Sequence, residues 1–158
     1  MPRRCLVLAA LLLATSPACA ARSDTQPTDV VAKEPTVTQI QFIIGGQALT
    51  ATLDDTLAGR DFASLLPLEL TLTDFASTEK VSALPRRLTT EGAPSSYAAS
   101  AGDITYYAPW GNLAIFYRDF RSASGLVRLG AFDSSLAALL GDGPRRVRVE
   151  VVRARPQG

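Results

Sequence analysis

The densest group of side chains able to recognise a ligand is the run Tyr106-Tyr107-Ala108-Pro109-Trp110-Gly111-Asn112. Aromatic rings offer rigid contact area with one polar end, so these residues could line a groove for a proline or another apolar side chain. The competing use is ordinary packing. Successive residues of a strand face opposite sides, so at least one of Tyr106 and Tyr107 belongs to a core. Asn112 carries both a donor and an acceptor and could orient a ligand amide, or it satisfies the backbone of its own turn. Arg86 and Arg87 could hold a carboxylate or a peptide carbonyl through a forked guanidinium, although an adjacent pair in a loop is more often solvated surface. The candidate ligand site is therefore Tyr107, Trp110 and Asn112, with Arg86 as an outer polar contact.

Other chemistry is mostly excluded by composition. The 158 residues contain no His, and the two cysteines, Cys5 and Cys19, both precede an expected cleavage after Ala20. Histidine triads, cysteine nucleophiles and nitrogen- or sulfur-ligated metals are thereby removed from the mature chain. Glu79 and Glu91 are the only pair of Glu near the long middle loop and could be imagined with Asp74 as an acid/base couple, but that chemistry needs a set separation that sequence spacing does not supply. No Asp-x-Asp-x-Asp-Gly run marks a calcium loop; Asp54 or Asp55 is better used as a helix cap, and Gly45-Gly46 as a turn. No catalytic residue, metal or cofactor is assigned. Loss of Arg3 and Arg4 takes the formal charge from +1 to −1, and such a balance carries no footprint for nucleic acid.

The elements that must position the site begin after two segments outside the fold. Residues 1–20 read as a signal peptide: Arg3 and Arg4, an apolar run from Cys5 to Ala14, Pro17, then Ala18-Cys19-Ala20. The apolar run is about half of the roughly 20 residues that a spanning helix needs. Export to the periplasm or cell envelope is expected. Lipidation at Cys19 is the alternative and the only expected membrane link, although Ser16 and Pro17 depart from the usual lipobox. Residues 21–36 are a polar, disordered linker with Gln26-Pro27 and Glu34-Pro35.

The folded domain is expected over 37–153, with a tail at 154–158. Val37, Ile40 and Phe42 to Ile44 lead into Gly45-Gly46 and on to Leu49, Ala51 and Leu53, an opening β-hairpin. A helix capped by Asp54 or Asp55 should run to Leu66, carrying Ala58, Phe62, Leu65 and Leu66 on one face. Leu68, Leu70 and Leu72 alternate with polar residues as a half-buried strand. Thr89 to Gly102 reads as a long surface loop, a kind of segment that is often functional. Ile104–Tyr107 and Leu113–Tyr117 form a second hairpin, and Leu126–Leu129 a short strand. Asp133 or Ser134 caps a second short helix ending at Gly141, and a last strand from Arg145 to about Val152 alternates arginine with valine as an edge. The expected fold is mainly β, with about eight strands, two short helices and a closed barrel or sandwich.

The segments RDFASLLPLELTL, GDITYYAPWGNLAIFYRD and GLVRLG, with this order of elements, resemble the bacterial cyclophilin-like proteins over about Ile40 to Val152. The resemblance implies a cyclophilin-like closed β-barrel of about eight strands. It does not carry isomerase activity, because the Phe-His-Arg segment of true cyclophilins is missing and Arg86 or Arg87 would have to replace its arginine. The expected function is an exported binding module for a peptide segment or small molecule. The alternative is a divergent peptidyl-prolyl isomerase acting on envelope proteins. Nothing in the sequence specifies an oligomeric state.

Overall fold

Gly45 and Gly46 turn the first strand back on the second, with φ of 54° and 84°. A two-residue loop with both central residues at positive φ matches the twist of the flanking strands, and glycine enters that region without steric cost. The expected opening hairpin follows, paired from Ile44 with Gln47 to Thr38 with Leu53. The structure is a computed structural model that describes residues 37–141 and 143–152. The expected signal peptide (1–20), linker (21–36) and tail (154–158) lie outside those residues.

In chain order the elements are β1 (Thr38–Ile44), β2 (Gln47–Leu53), α1 (Leu57–Ala63), β3 (Leu68–Phe75), β4 (Glu79–Ala83) and β5 (Ser96–Tyr97), then β6 (Asp103–Tyr107), β7 (Asn112–Phe116), β8 (Ala123–Ser124), β9 (Leu126–Phe132) and β10 (Arg145–Val151). Eight of them close an antiparallel barrel in the order β1-β10-β3-β4-β7-β6-β9-β2, and β5 pairs with β8 in a separate ribbon. The barrel interior holds Ile40, Phe42, Leu72, Ile104, Tyr106, Leu113, Ile115 and Val149. Alternation puts these side chains on one face of each strand, so apolar burial and barrel closure are the same event.

Four expectations are corrected. Helix α1 is capped by Thr56, whose hydroxyl accepts the Gly59 N–H at 3.0 Å, and it ends at Ala63 rather than Leu66. Asp54 and Asp55 are drawn instead into ion pairs with Arg128 and Arg60. The second helix does not form: residues 133–140 make a single turn closed by Leu139 N–H to Leu136 C=O at 2.8 Å. Asp133 is unavailable as a cap, because its N–H donates to Thr50 C=O and its carboxylate accepts from the Thr52 hydroxyl. Leu139 nevertheless reaches the main core.

Strand β10 is no edge, since it lies between β1 and β3. Val147 and Val149 point inward, while Arg148 on the outside bridges Glu69 and Glu150 at 2.9 and 3.0 Å. The stretch 89–102 is the expected surface loop, mostly exposed, but it is anchored. It contributes β5, and the nearly buried Asp103 carboxylate ties it down by accepting from Tyr97 Oη and Ser100 N–H, each at 2.8 Å. Arg128 Nε completes the set at 3.2 Å, which satisfies the charge that burial would otherwise penalise.

Burial, and then the hydrogen bond to Asp103, pushes the Tyr97 phenol from the usual 10 up to about 12. The folded state holds this proton more tightly than the unfolded chain, so the stabilisation is complete below pH 10 and vanishes as pH rises to about 12. Urea unfolding at roughly pH 9 and roughly pH 11.5 should show an alkaline loss in the parent that is smaller in Tyr97→Phe; equal losses would refute this account.

Gly130 lies opposite Leu53 in the β2–β9 pairing, where an added Cβ would stand 2.2 Å from Thr52 O and 2.8 Å from Leu53 Cα. Backbone cannot yield as a flexible side chain does, so Gly130→Ala should lower stability by about 1–3 kcal/mol or more, read as a lower urea midpoint.

Candidate functional site

Strand β7 is buried along its whole length. Leu113 and Ile115 point into the barrel, while Ala114 and Phe116 point outward into a second apolar cluster with Ala99 and Leu126. An apolar outer face needs a cover, and the segments carrying β5 and β8 supply it with Tyr97, Phe120 and Ala123. Where that cover stops, a groove of about 210 Å³ remains, walled by Phe75, Tyr107, Trp110, Phe116 and Phe120, with Glu79 as its one charged lining residue.

The strand register explains the grouping. Phe75 pairs with Glu79 and Glu79 with Phe116, so all three share the outer face of β3, β4 and β7. Tyr107 pairs with Leu126 on the same side. Trp110, 62 % exposed, reaches across from the β6–β7 turn. Its ring meets those of Tyr107 at 5.3 Å and 84° and of Phe75 at 5.6 Å and 85°. These are edge-to-face contacts, favoured by the ring quadrupoles, and they set the walls at right angles.

The turn bearing Trp110 is fixed from three sides. Tyr107 C=O accepts from Gly111 N–H at 2.9 Å, and Ala108 N–H donates to Gly125 C=O at 2.9 Å. Arg87 donates to Ala108 C=O at 2.5 Å and to Pro109 C=O at 3.4 Å. Gly125, at φ 75°, lies so near Pro109 that a Cβ would fall 2.9 Å from Pro109 Cδ.

Of the residues singled out from the sequence, Tyr107 and Trp110 come together in the groove. Tyr106 is the core member of the tyrosine pair, 1 % exposed, and its hydroxyl accepts from Leu88 N–H at 3.2 Å. Asn112 pairs with Tyr107 and shares its face, yet it is covered and does not line the groove. Its buried Oδ1 has no hydrogen-bond partner among the described residues. Arg86 is not brought to the groove: it lies against α1, donating to Asp61 at 2.6 Å and Ser64 at 3.0 Å. That hydrogen bond from Arg86 is the main reason the Asp61 carboxyl is held below the usual range. Arg87, the second of the pair, is the one that positions the aromatic turn.

The three imagined carboxylates are also separated. Glu91 lines a different depression beside α1. Asp74 accepts from Tyr117 Oη at 2.7 Å and from Lys80 Nζ at 3.0 Å. Those hydrogen bonds, Tyr117's first, lower its pKa. Lys80, 2 % exposed, also donates to Gly141 C=O at 3.1 Å. This buried ammonium was not anticipated; its only sequence sign is a charged residue at an inward position of an apolar strand pair. Among the described residues no cluster of three metal-ligating side chains occurs.

Glu79 is the group that sequence reasoning undervalued. It is partly buried in the groove without a hydrogen bond or ion pair among the described residues, and desolvation raises its carboxyl pKa. A raised pKa means that Glu79 favours the fold when protonated and opposes it as pH rises through the shifted value. Glu79→Gln should therefore raise Tm at pH 7, with the gain shrinking as pH falls through the raised value and gone below the usual carboxylate pKa of 4.5. An unchanged or lower Tm at neutral pH would contradict the assigned cause.

Comparison with known proteins bears on the fold. The solution structure of a hypothetical protein from Archaeoglobus fulgidus is similar, with a TM-score of 0.54 at 18% sequence identity, over 77% of this chain and 99% of that one. No curated protein matches the chain. The model of the cyclophilin-like family matches residues 42–152, from within β1 to the residue after β10. With its closed eight-strand antiparallel barrel and one short helix, the chain belongs to the cyclophilin-like family.

Proposed function

We propose that this protein is an exported binding module whose ligand docks in the groove walled by Tyr107, Trp110 and Phe75. The observation that carries the reading is the 62 % exposure of Trp110, because a large ring held in water by a clamped turn forgoes burial that an ordinary core would use. The positioning of that ring supports recognition, since a pre-set aromatic wall loses little entropy when a ligand arrives. Export rests on residues 1–20, with their basic start, apolar run and small-residue end. A lipid on Cys19 is the alternative route to the envelope.

A prolyl isomerase would need a guanidinium beside the apolar groove. Arg86 is turned to Asp61 and Arg87 to the carbonyls of the aromatic turn, which supports binding over catalysis.

Trp110 is the chain's single tryptophan, so its fluorescence reports the groove alone. A panel of X-Pro peptides and small organic molecules should contain ligands that shift this emission, and Tyr107→Ala should weaken them by roughly tenfold. Affinities unchanged in both Tyr107→Ala and Trp110→Ala, measured by calorimetry, would put the site elsewhere. In a parallel X-Pro isomerisation assay the purified protein should not exceed the uncatalysed rate. Activity abolished by Arg86→Ala or Arg87→Ala alone would reverse the choice in favour of an isomerase.

A further inference from the structure

The chain has larger depressions than the aromatic groove, and each contains at least one pair of opposite charges that engage one another. The one of about 530 Å³ beside β10 contains the Gln41–Glu150 hydrogen bond at 2.7 Å and the Arg148–Glu150 pair. The one of about 380 Å³ beside α1 contains the Asp54–Arg128 pair. In the aromatic groove the situation differs, because Glu79 is the one charged lining residue and its carboxylate has no partner among the described residues. Nearby, the Lys80 ammonium is committed to Asp74 and Gly141.

Resting on the binding reading above, we infer that the groove takes a small molecule bearing a quaternary ammonium group, with Glu79 supplying the counter-charge and Trp110, Tyr107 and Phe75 the cage. The faces of aromatic rings are electron-rich and attract cations, tryptophan most strongly. Right-angled walls let one cation meet several rings, and Phe75–Trp110–Tyr107 has that arrangement at 85° and 84°. A partly buried carboxylate among these rings provides net charge of the complementary sign.

Hydrogen bonding decides which cation. A primary ammonium has three N–H donors to satisfy, and a guanidinium five. The groove offers few side-chain acceptors beyond Glu79, only the Thr78 and Tyr107 hydroxyls, since most of the wall is hydrocarbon. A quaternary ammonium has no donors, so it loses no hydrogen bonds on leaving water. The volume of about 210 Å³ accommodates a single head group rather than several peptide residues.

The test is a titration of the purified protein with choline chloride, followed by Trp110 fluorescence and by calorimetry, beside its neutral isostere 3,3-dimethylbutan-1-ol and sodium chloride at matched ionic strength. Choline should bind saturably and roughly tenfold tighter than the isostere, with no response to sodium chloride. Glu79→Gln should reduce choline affinity several-fold and leave the isostere unchanged; its thermal unfolding curve shows that the variant is folded. Trp110→Ala should abolish choline binding by calorimetry. Equal affinity for choline and the isostere, insensitive to Glu79→Gln, would overturn the cation while leaving the groove as a binding site. Absence of choline binding would overturn it too, and the broader panel then decides whether the groove binds anything. Tighter binding of N-acetyl-trimethyllysine methylamide than of choline would overturn the small molecule in favour of a modified peptide.

Discussion

The two-sided burial of β7 is the constraint from which the rest of the molecule is built. One face of this strand closes the barrel through Leu113 and Ile115, and the other carries Ala114 and Phe116, which a simple barrel would expose. Covering that second face calls for extra chain, and the segments around β5 and β8 provide it. The cover needs its own anchors: Phe120 N–H donates to Ala99 C=O at 2.7 Å, and Ala101 N–H to the Asp119 carboxylate at 2.9 Å. The groove exists because the cover ends before the apolar face does. Site and fold thus share one cause, an apolar outer surface that is only partly sheathed.

Charge is used sparingly but at depth. Lys80 and Asp103 are almost fully buried, and each is surrounded by partners suited to its sign. The Lys80 ammonium meets a carboxylate and a carbonyl, whereas the Asp103 carboxylate meets a phenol, an amide and a guanidinium. Such groups contribute little net stability against apolar replacements, but removing one partner strands the other. Their effect is to fix where two irregular segments attach: residues 140–141 beside β4, and residues 95–101 beside β6. Glu79 breaks the pattern, since it is desolvated with no counter-ion among the described residues.

Most of the barrel was legible because its strands alternate cleanly. The Gly45-Gly46 hairpin, the Leu68–Leu72 strand and the Val147–Val149 strand each display a period of two, and each is where that period places it. The second helix was misread because Leu136, Leu139 and Leu140 have helical spacing, yet Asp133 is held by β2 and only one turn forms. The loop at 89–102 hid its contacts, since small residues such as Ala99 pack closely without a periodic signature. In the site, Tyr107 and Trp110 were visible as aromatics near a turn. Glu79 and Phe75 were not, because only the β3–β4–β7 register brings them there. Adjacent Arg86 and Arg87 are equivalent in sequence and part company only in space.

The closure of the barrel is made by its first and last strands. Ile40 stands opposite Val151, and Val152 N–H donates to Gln39 C=O at 2.9 Å. More than a hundred residues separate these partners in the chain, so the contact that seals the cylinder is also the most expensive in loop entropy. Strand β1 therefore has a partner on only one side, β2, until β10 is available, and the barrel cannot close before β10 has been made. Until β10 arrives, the facing edges of β1 and β3 stay open to pairing with other strands.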